Sequence, residues 1–281
     1  MTVGADIKAL RSRIKSVDST LHLTKAMGLV ASSKIRRAND AMAKSRQYSD
    51  ALGGVIRSLT ASAECLKSPF MAVRGDDIAR TRIIVIAGDR GMAGGYNANV
   101  MRLAAQYKGA QIIPIGKRAC EKFSRGAYGR EFYTSERFTS DMAAHLMKQQ
   151  CEDFAAGEFD RLGIISTEYV SMMTQTAKID WVLPLTADED ENSGAGTILF
   201  EPDEISVLNA VVPAYAAGIL MGCIRESFAS EVAARRMAMD SAGKNASAMI
   251  DDLTLRYNRA RQGTITQEIT EIVAGAAGTD G

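Results

Sequence analysis

Gly88, Gly91, Gly94 and Gly95 lie between an apolar run, Thr81 to Ala87, and an amphipathic segment that starts near Asn97. A strand that turns through glycines into a helix can hold a phosphate on free backbone amides. The spacing here does not complete such a site. There is no GxGxxG and no Gly-Lys-Ser/Thr, and Gly116 and Lys117 stand after the second strand where a ribose-binding acid belongs. These residues predict a tight turn in which glycine meets a backbone requirement. Asp89, Arg90 and Asn97 are placed to cap and pin it.

Other candidates for chemistry are weaker. His145 falls in an amphipathic helical pattern and reads as a partly exposed packing residue rather than a general base. The carboxylates of Asp188 to Glu191 have the residue type for a cation, but flanked by Asn192, Ser193 and Gly194 they read as a solvated loop. Cys65, Cys120, Cys151 and Cys223 show no CxxC spacing, which argues against a zinc site or a disulfide framework. No nucleophile can be paired with a base. The expectation is therefore no catalytic residue, no cofactor and no metal ligand.

The elements that position these residues have a simple order. Two long helical segments lie at the ends, Val3 to about Leu59, which has no proline, and about Asn209 to Ala274, which has none after Pro213, with everything else between them. In the first, Ile7, Leu10, Ile14, Val17, Leu21, Thr24, Gly28, Ala31, Ile35, Ala38, Met42, Ser45, Ser49, Leu52, Ile56 and Leu59 recur in steps of three and four. That period of about 3.5 is a coiled-coil seam. The terminal segment repeats it through Ala246, Ile250, Leu253, Tyr257 and Ala260, and resumes with Ile265, Ile269 and Ile272 after Gly263. If the two pair antiparallel, the longer second helix must project past Val3. Ile265, Ile269, Ile272 and Val273 then form an exposed apolar tip that another protein should enclose.

Between the helices the texture is α/β. Strands are expected at Thr81–Ala87, Gln111–Ile115, Glu131–Tyr133, Leu162–Ser166, Gln175–Leu183 and Thr197–Phe200. Helices are expected near Asn97–Tyr107, Arg118–Ser124 and Ser140–Ala156. The fold class is α/β: a long antiparallel coiled coil of the N- and C-terminal helices with an inserted Rossmann-like α/β domain. The divisions are residues 1–60, 76–205 and 206–281.

Composition sets the outer limits. The chain has 281 residues, 46% of them hydrophobic, and 34 basic side chains against 33 acidic ones. It can bury a core, and as a whole it is not a polyanion binder. The first 50 residues are different, with ten basic against four acidic side chains, a local excess of six. Without interleaved aromatics this charge suits an acidic protein partner better than nucleic acid. A basic coiled-coil adaptor for nucleic acid or an acidic protein is the alternative function. No segment is expected to span a bilayer.

Three groups of residues carry a family resemblance. Ile14-Lys15-Ser16-Val17, Thr24-Lys25-Ala26-Met27 and Val30 to Ala38 resemble the first helix of the gamma subunit of F-type ATP synthases. Ser230-Glu231 through Arg235, Asp251-Asp252-Leu253, Tyr257 to Gln262 and Ile265 to Ala277 are similar to its C-terminal signature, and Asp89-Arg90-Gly91 with Gly94 to Asn97 to its central loop. Leu21-His22-Leu23 and Met92-Ala93 depart from the usual pattern. The resemblance implies a non-catalytic rotating shaft that couples ion flow through a membrane c-ring to ATP synthesis or hydrolysis on beta. It implies alpha, beta, epsilon and delta subunits and the c-ring as partners, no nucleic acid, and membrane attachment only through the complex, on the cytoplasmic face of a bacterial membrane. Lys25, Met27 and Arg235 are implied to lie near the beta lever loops, and Arg261, Gln262, Thr266 and Glu268 at the beta catch loops. Ile265, Ile269, Ile272 and Val273 are implied to sit in the alpha/beta sleeve.

Overall fold

A computed structural model describes residues 3–75, 80–125, 135–186 and 200–277. The chain forms two compact units. Met1–Val30 with Arg236–Gly281 make one, and Ala31–Arg235 make the other. Two helices run through both, α1 at Val3–Thr60 and α5 at Glu204–Ala277. All the residues of the α1 seam are buried or half-buried.

In the first unit the helices run antiparallel and approach through small residues. A Cβ at Gly28 would lie 3.7 Å from Met239 Cβ, and one at Gly243 would meet Thr24 Oγ1 at 3.6 Å. Leu21, Thr24, Ala246 and Leu253 are buried along this seam. From Ile265 onward the described α5 side chains are exposed.

In the second unit α1 and α5 are also antiparallel, with different chemistry. Gly218 lies against Tyr48 and Leu52. Arg46 Nη2 donates to Glu226 Oε1 at 2.8 Å, and Arg225 Nη1 donates to Ser45 Oγ at 2.5 Å. This unit also holds the inserted sheet. Its strands are β1 (Thr81–Ile86), β2 (Gln111–Ile115), β3 (Arg161–Tyr169) and β4 (Gln175–Leu183), in spatial order β2-β1-β3-β4. β1 is parallel to β2 and to β3, while β4 returns antiparallel to β3.

Both faces of the sheet are covered, which is why β1 reads as an unbroken Ile/Val run. Ile84, Ile86, Ile113 and Ile164 point to one side. There they meet Leu146, Met147 and Phe154 of α4 (Ser140–Ala155), Leu208, Val212 and Leu220 of α5, and Ile56 and Leu59 of α1. Ile83, Val85, Ile112 and Ile165 point to the other, against Val100 and Ala104 of α2 (Tyr96–Ala104) and Ala119 of α3 (Lys117–Phe123).

Several elements differ from the sequence expectations by more than a residue or two. α5 starts at Glu204, not Asn209, because Asp203 caps it, accepting from Ser206 N at 2.8 Å and Ser206 Oγ at 2.7 Å; Pro213 lies inside the helix. α2 ends at Ala104, short of Tyr107. β3 extends to Tyr169, beyond Ser166. One stretch of α5 is also long and apolar enough to cross a membrane by composition, which corrects the expectation that none is; half of it is buried within the fold, as in a core helix. The expected strand at 131–133, the acidic loop around Asp188 to Glu191 and all of the expected strand at 197–200 except Phe200 lie outside the described residues.

Candidate functional site

The glycine turn after β1 is pinned by the side chains of Asn97 and Asp89. Asn97 Oδ1 accepts from Gly88 N–H at 2.9 Å, and Asn97 Nδ2 donates to Arg90 O at 3.2 Å. Asp89 Oδ1 accepts from Lys117 N–H at 2.9 Å, at the start of α3, and from Ser135 N–H at 3.1 Å; its Oδ2 takes Glu136 N–H at 2.9 Å. The carboxylate occupies the place of an anionic ligand at that helix start. Gly116, which opens α3 with a φ of 92°, faces Ala87 O so closely that a Cβ would stand 1.8 Å from it. Glycine is obligatory there.

Beneath the turn lies α5. Arg235 donates to Gly91 O from Nε at 3.4 Å and Nη2 at 3.3 Å, and Nη2 also pairs with Glu231 Oε1. Glu231 is buried, and burial raises its carboxyl above the usual range even though Arg235 pulls the other way. Tyr96 is buried beside it, and burial, reinforced by the Glu231 charge, raises its phenol. Glu136 is held below the usual range chiefly by its hydrogen bond from Lys34 on α1, at 2.8 Å. The turn is thus an internally bonded joint, its Gly88 N–H held by Asn97 and its Asp89 carboxylate by amides of the flanking segments.

The structure brings Asp89, Arg90, Gly91, Asn97 and Arg235 together around this joint. Gly88, Gly94 and Gly95 lie on the same turn, and the other singled-out residues lie elsewhere. Lys25 is exposed and Met27 half-buried on α1; Arg261, Gln262, Thr266 and Glu268 are exposed on α5. Thr266 Oγ1 donates to Gln262 O at 2.9 Å. Along the last described turns Ile265, Ile269, Ile272 and Val273 are 46%, 56%, 71% and 62% exposed, a stripe of large aliphatics in water. His145 is exposed on α4. No cluster of metal-ligating side chains occurs among the described residues.

Sequence reasoning missed the polar residues that α5 turns toward the sheet: Glu226, Ser227, Ser230 and Glu231, all buried. Four buried polar residues within six positions of an otherwise apolar helix stretch were the available signal. It also missed Arg82, which is 1% exposed yet bonded to Gln111, Gln150 and Asp153 and stacked on Phe159 at 4.2 Å.

The family model for ATP synthase matches residues 6–278. The chain is 38% identical to the ATP synthase gamma chain of Stenotrophomonas maltophilia, covering 99% of each. It is 36% identical to the ATP synthase gamma chain, sodium ion specific, of Acetobacterium woodii, covering 98% of this chain and 99% of the relative. Among solved structures it is similar to a chain of the Euglena gracilis mitochondrial ATP synthase (OSCP/F1/c-ring), with a TM-score of 0.70 at 18% identity over 98% of this chain and 95% of that one. A chain of the Euglena rotor matches with a TM-score of 0.63 at 18% identity, over 93% of this chain and 99% of that one.

Proposed function

The chain belongs to the ATP synthase gamma-chain family, and from that premise we propose that it is the rotating central shaft that couples ion flow through a membrane c-ring to ATP synthesis or hydrolysis on the beta subunits. The observation that carries this is the end of α5. Its seam is buried or half-buried through Ala260, after which Ile265, Ile269, Ile272 and Val273 are exposed. An aliphatic stripe of that length in water calls for an enclosing surface, here the alpha/beta sleeve. Arg261, Gln262, Thr266 and Glu268 meet the beta catch loops just before it, and Lys25, Met27 and Arg235 lie near the beta lever loops.

The chain itself makes and breaks no bond. Its partners are alpha, beta, delta and epsilon subunits and the c-ring, and it reaches a membrane only through them, at the cytoplasmic face of a bacterial cell membrane. The relatives lend no support to a nucleic-acid adaptor. Co-expression with alpha and beta subunits tests the assignment: the chain co-purifies with them in stoichiometric amounts and alone hydrolyses no ATP. A stable lone monomer that turns over nucleotide would overturn it.

A further inference from the structure

β1 and β3 run side by side only to the pair Val85–Ile165, yet β3 continues to Tyr169. Along this overhang the β4 edge stays paired, Thr167 with Ala177 and Tyr169 with Gln175. The opposite edge has lost its strand, and buried main-chain groups left there would each need a partner. α5 supplies them. Thr167 N–H donates to Ser227 Oγ at 3.0 Å, Ser230 Oγ donates to Thr167 O at 3.2 Å, and Tyr169 N–H donates to Glu226 Oε1 at 3.3 Å. Three side chains of one helix continue the ladder that β1 leaves off. Ser227 and Ser230 are 1% and 0% exposed, so water does not compete for these bonds.

Apolar burial is non-directional and resists rotation of a helix about its own axis only weakly. Hydrogen bonds weaken steeply with distance and angle, and a buried donor that loses its acceptor is penalised in full. A polar stripe bonded to fixed main-chain groups therefore sets the rotational and axial position of the helix in a way that the surrounding aliphatic contacts do not. Glu226 also accepts from Arg46 of α1, which ties the second long helix into the same junction.

We propose that Glu226, Ser227 and Ser230 form a hydrogen-bonded key that locks α5 rotationally to the β3 overhang and carries torque between the inserted sheet and the shaft helix. The proposal rests on the rotor assignment above. Its test uses the full chain assembled with alpha and beta subunits fixed to a surface, with a bead tethered through Met173→Cys on the exposed β3–β4 turn. In Ser227→Ala/Ser230→Ala the bead's angular spread during pauses widens several-fold, while ATP hydrolysis at saturating ATP stays at the parent rate. Ser227→Thr/Ser230→Thr, which keeps both hydroxyls, restores the narrow spread. An assembled alanine variant with unchanged angular spread overturns the key. If the double variant does not assemble, Ser230→Ala alone, which leaves Thr167 N–H bonded to Ser227, gives the same comparison. A parent chain that assembles with neither subunit refutes the rotor assignment instead, a result distinct from an unaltered stiffness.

Discussion

The carboxyl carbon of Glu231 lies 2.7 Å from where a Cβ on Gly88 would stand. The β1 turn and α5 are in contact at a place where only a hydrogen fits, and the group that fills the space is a buried acid paired with Arg235. Gly88→Ala must displace that acid from its partner. The expected loss is about 1–3 kcal/mol of stability, the range for overpacking a filled site, read as a shift in urea midpoint. Combining it with Glu231→Ala should be non-additive, since the second change removes the obstacle. Additive losses would show that the two side chains do not share the space.

The same carboxyl sets a pH dependence. Burial raises the Glu231 pKa in the folded state above its ordinary value of 4.5, so the native state binds a proton that the unfolded chain has already lost. Stability from this group is therefore undiminished below the unfolded pKa and falls as pH rises through the folded one. Glu136 has the opposite sign: held down by Lys34, its contribution is present above the unfolded pKa and lost as pH falls through the folded one. Denaturation free energies across the acid range should flatten on the alkaline side in Glu231→Gln and on the acid side in Glu136→Gln. A parent-like slope in Glu231→Gln would mean that the group is not buried as an acid.

Arg82 makes a third test. Its guanidinium bonds Gln111 at 2.9 Å, Gln150 at 2.7 Å and Asp153 at 2.6 Å. Arg82→Met keeps much of the length but leaves Asp153 without this buried cation. Breaking a buried pair from one side costs about 3–5 kcal/mol, so urea denaturation should show a large loss. The paired change Arg82→Met/Asp153→Leu should recover part of it. A loss under about 1 kcal/mol for the single variant, the range of an exposed pair, would place Arg82 in contact with water.

What could be read from the sequence, and what could not, follows from the range of each signal. The α1 seam, β1 and β2 were legible because apolar periodicity and continuous Ile/Val runs record burial residue by residue. The start of α5 was not, since the Asp203 cap lies before the apolar repeat begins. The exposed tip was legible from excess helix length. The joint was legible only in part: Asp89 and Asn97 announced a capped turn, but no local pattern says that Ser227 and Ser230 complete a strand edge some 60 residues earlier. That pairing exists only once the chain has folded.

Thiol reactivity separates the four cysteines. Burial raises Cys151 and Cys223 to about 12 and lifts Cys65 as well, and all three are buried. Cys120, partly exposed on α3, is the exception. Because the thiolate is the nucleophile, iodoacetamide at neutral pH should label Cys120 first, with the others following only as the chain unfolds. Peptide mass spectrometry after a short pulse reads this directly. Early labelling of Cys223 would show that the β4–α5 contact opens in the native state.

The apolar tip gives the last prediction. Ile269, Ile272 and Val273 are exposed, and the α5 seam that packs in its own unit is buried or half-buried only as far as Ala260. Removing the chain from Ile269 on therefore takes away surface that this chain does not use for its own folding. Helix content by circular dichroism should fall only by the residues deleted, and the urea midpoint should hold. In the assembled complex the outcome is different. The deleted aliphatics are those that need an enclosing sleeve, so seating weakens and gradient-driven ATP synthesis drops while the truncated chain stays folded. Collapse of the helical signal would mean that these turns hold the α1–α5 pair together, and unchanged synthesis would mean that the sleeve grips the shaft below Ile269.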